Sequence, residues 1–172
     1  IHRSSSKRSS PNEKNSLNTN PLYQTNLKKS RVLSMKPQRK KIRSIRSLKK
    51  KAWTEFSKYI RLKNADRDGY VHCYTCGKRM FWKEAQAGHG LSGRGNSILF
   101  DEEVVKIQCP SCNIFKGGNY DSFHSRLIEE NGIEWFNKKL KQKHKTKQFT
   151  TKELEDMIKY YQEEIKKIEK SY

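Results

Sequence analysis

Apolar side chains first recur at a helical interval near residue 45. Ile42, Ile45 and Leu48 stand three apart, and with Ala52, Trp53, Phe56 and Ile60 they predict a helix over about residues 44–64. Trp53, Phe56 and Ile60 read as packing residues on its inner face. DRDGY ends it in a turn. YVHC and RMFW then predict two short strands around a Cys-x-x-Cys turn. QAGHGLSGRGN, residues 86–96, is too rich in glycine for a helix and too polar for a core strand, so residues 86–98 read as a loop. ILFDEEVVKIQC, apolar at both ends, predicts a strand and a turn. CPSCNIFKGGN predicts a second Cys-x-x-Cys turn running into a short helix. YDSFHSRLIEENG continues as helix, with Phe123, Leu127 and Ile128 on one face and Gly132 as terminator. IEWFNKKLKQK is another short helix. In the last segment Thr150 stands three before Glu153, a capping-box pattern. Leu154, Met157, Ile158, Tyr161, Ile165 and Ile168 follow on one helical face. This helix either packs on its own domain or pairs two copies, although it is short for a coiled coil.

Composition narrows the class. Only 33% of the 172 residues are hydrophobic and mean hydropathy is −1.07, so apolar material is scarce. A core this poor usually needs a staple such as a metal or a disulfide. No apolar run reaches the roughly 18 residues of a membrane span, so no membrane partner is expected. The chain begins with Ile1 rather than Met, so the lack of a visible signal peptide carries little weight.

The net charge of +20 is unevenly placed. Residues 1–51 hold 16 of the 38 Lys and Arg but one of the 18 Asp and Glu, Glu13. Residues 1–26 are Ser, Asn, Pro, Lys and Arg with few apolar residues, a composition that predicts disorder. The organisation expected is a basic, largely disordered arm over 1–43, a body over 44–149 and the amphipathic helix over 150–172. Such an arm favours polyanions, because phosphate contacts release counterions. Lys40, Lys41, Arg43 and Arg46 are its candidate DNA contacts. A solubilising tail is the plainer alternative.

The four cysteines fall into two pairs of equal spacing, Cys73-x-x-Cys76 and Cys109-x-x-Cys112. Two such turns supply the four thiolates of a tetrahedral structural zinc site. Two disulfides would be the competing reading, but CxxC pairs close on themselves mainly in redox enzymes. Zinc would contribute on the order of 10 kcal/mol and tie the first strands to the helix near residue 112.

His89 lies between these knuckles. A lone histidine in a polar loop is usually not catalytic, so its surroundings decide. A helix starting at Cys112 or Asn113 would offer backbone N–H groups and a positive dipole to phosphate. Lys116 follows a turn later, KGGN (116–119) lets backbone approach closely, and Arg94 lies in the glycine loop. Arg94, Lys116 and Asn119 are therefore further candidate DNA contacts. The set suits phosphodiester hydrolysis, with His89 as general base and a divalent ion holding the oxygens.

CYTCGKRMFWKEAQAGH, then LFDEE, then QCPSCNIFKGGNYDSF, resemble in order and spacing the NinG (Rap) family of phage recombination proteins. FSKYIRLKNAD and LIEENGIEWF extend the resemblance, so that it spans about residues 53–140. It implies an α+β fold: a small zinc-bound, HNH-like ββα-metal finger in a treble-clef-like frame, flanked by helices. It implies a structure-specific endonuclease cutting D-loops or Holliday junctions with Mg²⁺ or Mn²⁺. The setting would be nucleoid DNA in the cytoplasm of a phage-infected or prophage-bearing bacterium. In that pattern Cys73, Cys76, Cys109 and Cys112 hold zinc, His89 is the base, and Asn113 holds the catalytic divalent ion. The pattern differs from many HNH enzymes at two positions. Gly88 stands where they carry a metal-binding Asp, and Val104 where an Asn orients the base. Asp101, a candidate metal ligand, Glu102 or Asn96 could substitute. Gly90 replaces an aromatic found in many relatives, which predicts a looser loop. A homodimer through the last helix would suit a symmetric junction. The alternatives are a zinc-stabilised DNA-binding accessory protein without catalysis, and another HNH-type nuclease, including one acting on RNA.

Overall fold

The computed structural model describes residues 44–93 and 95–170. The predicted arm, with Lys40, Lys41 and Arg43, and the loop residue Arg94 lie outside the described residues. Helix α1 spans Ile45–Lys63. The Ser44 hydroxyl caps its start by accepting the Ser47 N–H at 3.2 Å, and Arg61 and Lys63 complement the dipole at its end. Its inner face buries Leu48, Ala52, Phe56 and Ile60, as the apolar period predicts, together with Tyr59 and Leu62, whereas Ile45 is exposed.

Two small antiparallel sheets come next. β1 (Tyr70–His72) pairs with β2 (Arg79–Phe81), and the first cysteine turn connects them. β3 (Gln86–His89) pairs with β4 (Val105–Gln108), with Gln86 opposite Gln108 and His89 opposite Val105. The first part of the predicted glycine loop is thus a strand. Ala87 and His89 turn inward from it. Gly88 is required there because a Cβ would overlap the Gln108 carboxamide. Gly90 does not loosen the chain beyond the strand. Its N–H donates to the Val104 carbonyl at 2.7 Å, and a Cβ would come within 2.6 Å of Phe123. No aromatic could fit there.

Beyond β4 the chain makes one π-helical turn, Ser111–Phe115, rather than the predicted helix start. The Asn113 N–H is already bonded to the Cys109 carbonyl at 2.9 Å. Gly117 and Gly118 at φ 57° and 101°, then Asn119 at φ 49°, interrupt the helix. Helix α2 begins only at Tyr120 and runs to Asn131, where Gly132 (φ 86°) ends it. The phosphate-binding helix start expected at Cys112 or Asn113 is therefore absent.

Helix α3 (Ile133–Lys143) and helix α4 (Thr151–Lys170) complete the fold. α4 packs on α1, burying Leu154, Ile158, Tyr161 and Ile165. The Tyr161 ring meets Phe56 at 5.2 Å and Tyr59 at 5.3 Å. Its apolar face packs within the chain, the first of the two arrangements expected of this helix, and the core continues across the expected boundary at residue 150. One buried cluster joins α1, α4, both sheets and three cysteines. A second lies around Leu48, Leu99, Phe149 and Leu154. A third, under α2 and α3, holds Leu91, Ile98, Val104, Phe123, Leu127 and Phe136. No described helix is long and apolar enough to cross a membrane.

Candidate functional site

The two cysteine turns meet. Cys73, Cys76, Cys109 and Cys112 place their sulfurs within 4.8 Å of one another, with three of the four residues buried. Cys76 and Cys109 Sγ are 3.8 Å apart, too far for a disulfide. That spacing equals the edge, about 3.8 Å, of a tetrahedron with zinc–sulfur bonds of about 2.3 Å. Other groups point at the sulfurs. The Cys112 N–H donates to Cys109 Sγ at 3.4 Å, and the Asn119 amide donates to Cys112 Sγ at 3.7 Å. Thr75 Oγ1 lies 3.4 Å from Cys73 Sγ. Burial raises the Cys73 thiol, but the Thr75 hydroxyl and the N–H groups of Cys109, Cys76 and Thr75 outweigh it and leave it at about 6. The Lys78 N–H pulls Cys76 down, yet burial and the crowded sulfurs push it up to about 12. Cys109 is raised, chiefly by burial. Four thiols in this space cannot all ionise without a cation, and a structural zinc ion would supply that charge. The donor set fits zinc.

His89 sits at the end of β3 and is 7% exposed. Its ring stacks on Trp53 with centroids 4.7 Å apart and planes 17° off parallel. Nε2 lies 3.2 Å from the Leu99 carbonyl. A carbonyl oxygen can only accept, so Nε2 carries the proton and Nδ1 is the basic atom. The carbonyl thus orients the imidazole, the part expected of a side chain near position 104. Val104 itself is fully buried in the third cluster. The expected substitutes are engaged elsewhere. Glu102 pairs with Lys63 at 2.7 Å, and Asn96 bonds Lys49 and the Lys147 carbonyl.

Asn113 lies on the π-helical turn one residue past Cys112. Its amide donates to Gln86 Oε1 at 2.7 Å. Its Oδ1 stands 3.2 Å from where a Gly88 Cβ would be. Gln108, 0% exposed, fills the rest of that space. Its amide donates to the Gly118 carbonyl at 2.7 Å, which fixes the flip and leaves Oε1 buried without a partner. The Gln108 carboxamide therefore fills the space that a side chain at position 88 would take. Asp101 does not join it. That carboxylate is nearly buried against Lys139 Nζ at 2.7 Å and also caps the Glu103 N–H, while Lys139 makes a second, close ion pair with Glu103. Among the described residues the four cysteines are the one group of three or more His, Cys, Asp or Glu donors spaced for a metal. Two neutral amide oxygens, on Asn113 and Gln108, lack the carboxylate that Mg²⁺ or Mn²⁺ usually takes from a protein. The predicted resident catalytic ion does not fit this donor set.

The remaining site residues divide. Trp53, Arg61, Gln86, Asn113 and Ile114 line one open groove of about 390 Å³. Arg61 donates to the Ala85 carbonyl at 3.3 Å, lies 5.5 Å from the Trp82 ring, and is lowered from its ordinary pKa by burial. Lys116 is exposed on the same turn, and Arg46 is exposed on α1. Asn119 is half-buried, with its amide on Cys112 Sγ. Trp53, Arg61, Gln108 and the Leu99 carbonyl were not legible as site groups. The one signal was a glutamine at a buried position of an apolar strand, directly before a cysteine turn.

Comparison with curated proteins and with solved structures gives no match. The family model described as the bacteriophage lambda NinG protein matches residues 2–171. With paired cysteines converging on one centre and that match over nearly the whole length, the chain belongs to the NinG family of phage recombination-associated proteins.

Proposed function

We propose that this chain is a DNA endonuclease that cuts branched recombination intermediates, D-loops or Holliday junctions, in an infected or prophage-bearing cell. The observation that carries the proposal is the imidazole held by a backbone carbonyl at the end of β3. β3, β4, the π-helical turn and α2 follow one another in the chain, an order that supports reading them as an HNH-like finger. His89 takes the part of general base: Nδ1 accepts a proton as water attacks phosphorus, and the P–O bond to the leaving strand breaks. Leu99 and Trp53 hold the ring in orientation. Lys116 and Arg61 offer charge to the phosphates that border the groove. The net charge of +20 and family membership support DNA as the substrate.

A second reading has its own observation. His89 is only 7% exposed, and the Gln108 carboxamide fills the space that a side chain at position 88 would take. Both suit a DNA-binding accessory protein that does not cut. Incubating the purified zinc protein with four-way, forked and linear DNA separates the two, with Mg²⁺, with Mn²⁺ and with neither. Nicks at the branch of the four-way or forked DNA are the expected result. Tight junction binding with no nick under any condition would leave the accessory reading standing.

A further inference from the structure

The π-helical turn carries two large apolar side chains outward. Phe115 is 84% exposed and Ile114 59%, the two most exposed large hydrophobic residues among those described. Phe115 makes no ring contact within the described residues. A ring left this open loses the burial that normally justifies it.

The turn beneath it is not loose. The Asn113 N–H is bonded to the Cys109 carbonyl, the Lys116 N–H to the Ser111 carbonyl at 2.9 Å, and the Gly118 N–H to the Cys112 carbonyl at 3.0 Å. Cys112, buried among the four sulfurs, anchors the base of the turn. Phe115 is therefore an aromatic tip on a pinned support, and ordering it against a ligand costs little. Lys116 is the next residue, and Ile114 lines the groove that holds Arg61 and Asn113.

We infer that Phe115 is a stacking tip that takes an unpaired base at a DNA branch, beside the groove that holds Asn113. The inference rests on the DNA reading above and deepens it. Charge complementarity selects the occupant. The tip sits beside Lys116, and the groove next to it holds Arg61, which suits a polyanion with aromatic faces better than an apolar protein surface. Paired duplex hides its base faces, whereas a fork or junction exposes them. A rigid aromatic would thus add affinity for branched DNA alone.

The test is fluorescence anisotropy without added Mg²⁺ or Mn²⁺, so that binding is read apart from cutting. The probes are a fork with unpaired bases and a fully paired duplex of equal length. Phe115→Ala is expected to lose about tenfold for the fork, within the range of one base–aromatic stack, and less than about twofold for the duplex. Phe115→Trp is expected to bind the fork like wild type. Equal losses on both probes, or no loss on either, would overturn the stacking tip while leaving the DNA reading intact. Wild type that binds neither probe would overturn both. Sedimentation of the same proteins checks the rival occupant: a dimer that Phe115→Ala converts to monomer would assign the tip to a second copy and overturn the inference.

Discussion

A methyl group added at position 88 would meet the Gln108 carboxamide, which is pinned by the Gly118 carbonyl and by Thr75 Oγ1. Gly88→Ala should therefore destabilise the zinc protein by about 1–3 kcal/mol in urea unfolding. Gln108→Ala should also destabilise it, since it leaves the Gly118 carbonyl unpaired. The double variant should be more stable than the sum of the two by about 1 kcal/mol, because the overlap is gone. Strict additivity would mean that the two side chains do not compete for one space. Asp101 allows a second test at this scale. Its carboxylate sits against Lys139, with side chains 12% and 9% exposed. Asp101→Asn should cost about 1.5–2 kcal/mol of stability, since Glu103 still pairs Lys139, and leave cutting per folded molecule unchanged. A folded Asp101→Asn protein with cutting reduced by orders of magnitude would make Asp101 a metal ligand after all. The residue scale is where the sequence was least legible. The cysteines could be read because equal CxxC spacing has one dominant use. Gln108, Trp53 and the Leu99 carbonyl could not, because their parts depend on contacts between strands, helix and loop. Asn119 was placed on the DNA side because a KGGN turn reads as a backbone approach. Its left-handed conformation turns the amide to Cys112 instead.

At the scale of elements, the apolar period located α1, α2, α3 and α4 well, since each has one buried face. Two elements departed from the pattern. β3 read as a loop because Gly88 and Gly90 hide its strand character. Both glycines are required by close packing, against Gln108 and against Phe123 and Leu127. The turn after Cys112 read as a helix start because nothing in CNIFKGG shows that positive φ at two glycines will end it early. The last helix depends on its cap. The Thr150 hydroxyl accepts the Glu153 N–H at 3.2 Å, and the Glu153 carboxylate accepts the Thr150 N–H at 2.7 Å. Thr150→Ala should lower stability by about 1 kcal/mol, read as a fall in melting temperature with the protein still monomeric or dimeric as before. A change in association without a change in melting would instead place α4 at an interface between copies.

Among the described residues, the four sulfurs join two segments far apart in the chain. The first and second cysteine turns lie 32 residues apart, and their meeting brings the β1–β2 sheet to the base of the π-helical turn. Removing zinc with a strong chelator should abolish the near-UV circular dichroism of the core, and acidification should do the same as protons compete for the thiolates. Cys109→Ser should likewise fail to hold a folded core. A metal-free protein with an unchanged spectrum would contradict the zinc centre. The same centre presents Asn113 and Phe115 on one turn, while Trp53, on which His89 stacks, lines the groove that includes Asn113. Deleting the basic first 43 residues should weaken binding to every DNA shape alike and flatten its salt dependence, and loss of junction preference alone would contradict that. Cutting, by contrast, is assigned to one imidazole. The most direct measurement is therefore strand scission of a four-way junction by wild type and by His89→Ala, with junction binding recorded on the same samples. A general base at His89 predicts that His89→Ala binds as wild type does and loses cutting by at least about a hundredfold, the usual worth of such a base. A His89→Ala protein that cuts at the wild-type rate would contradict it.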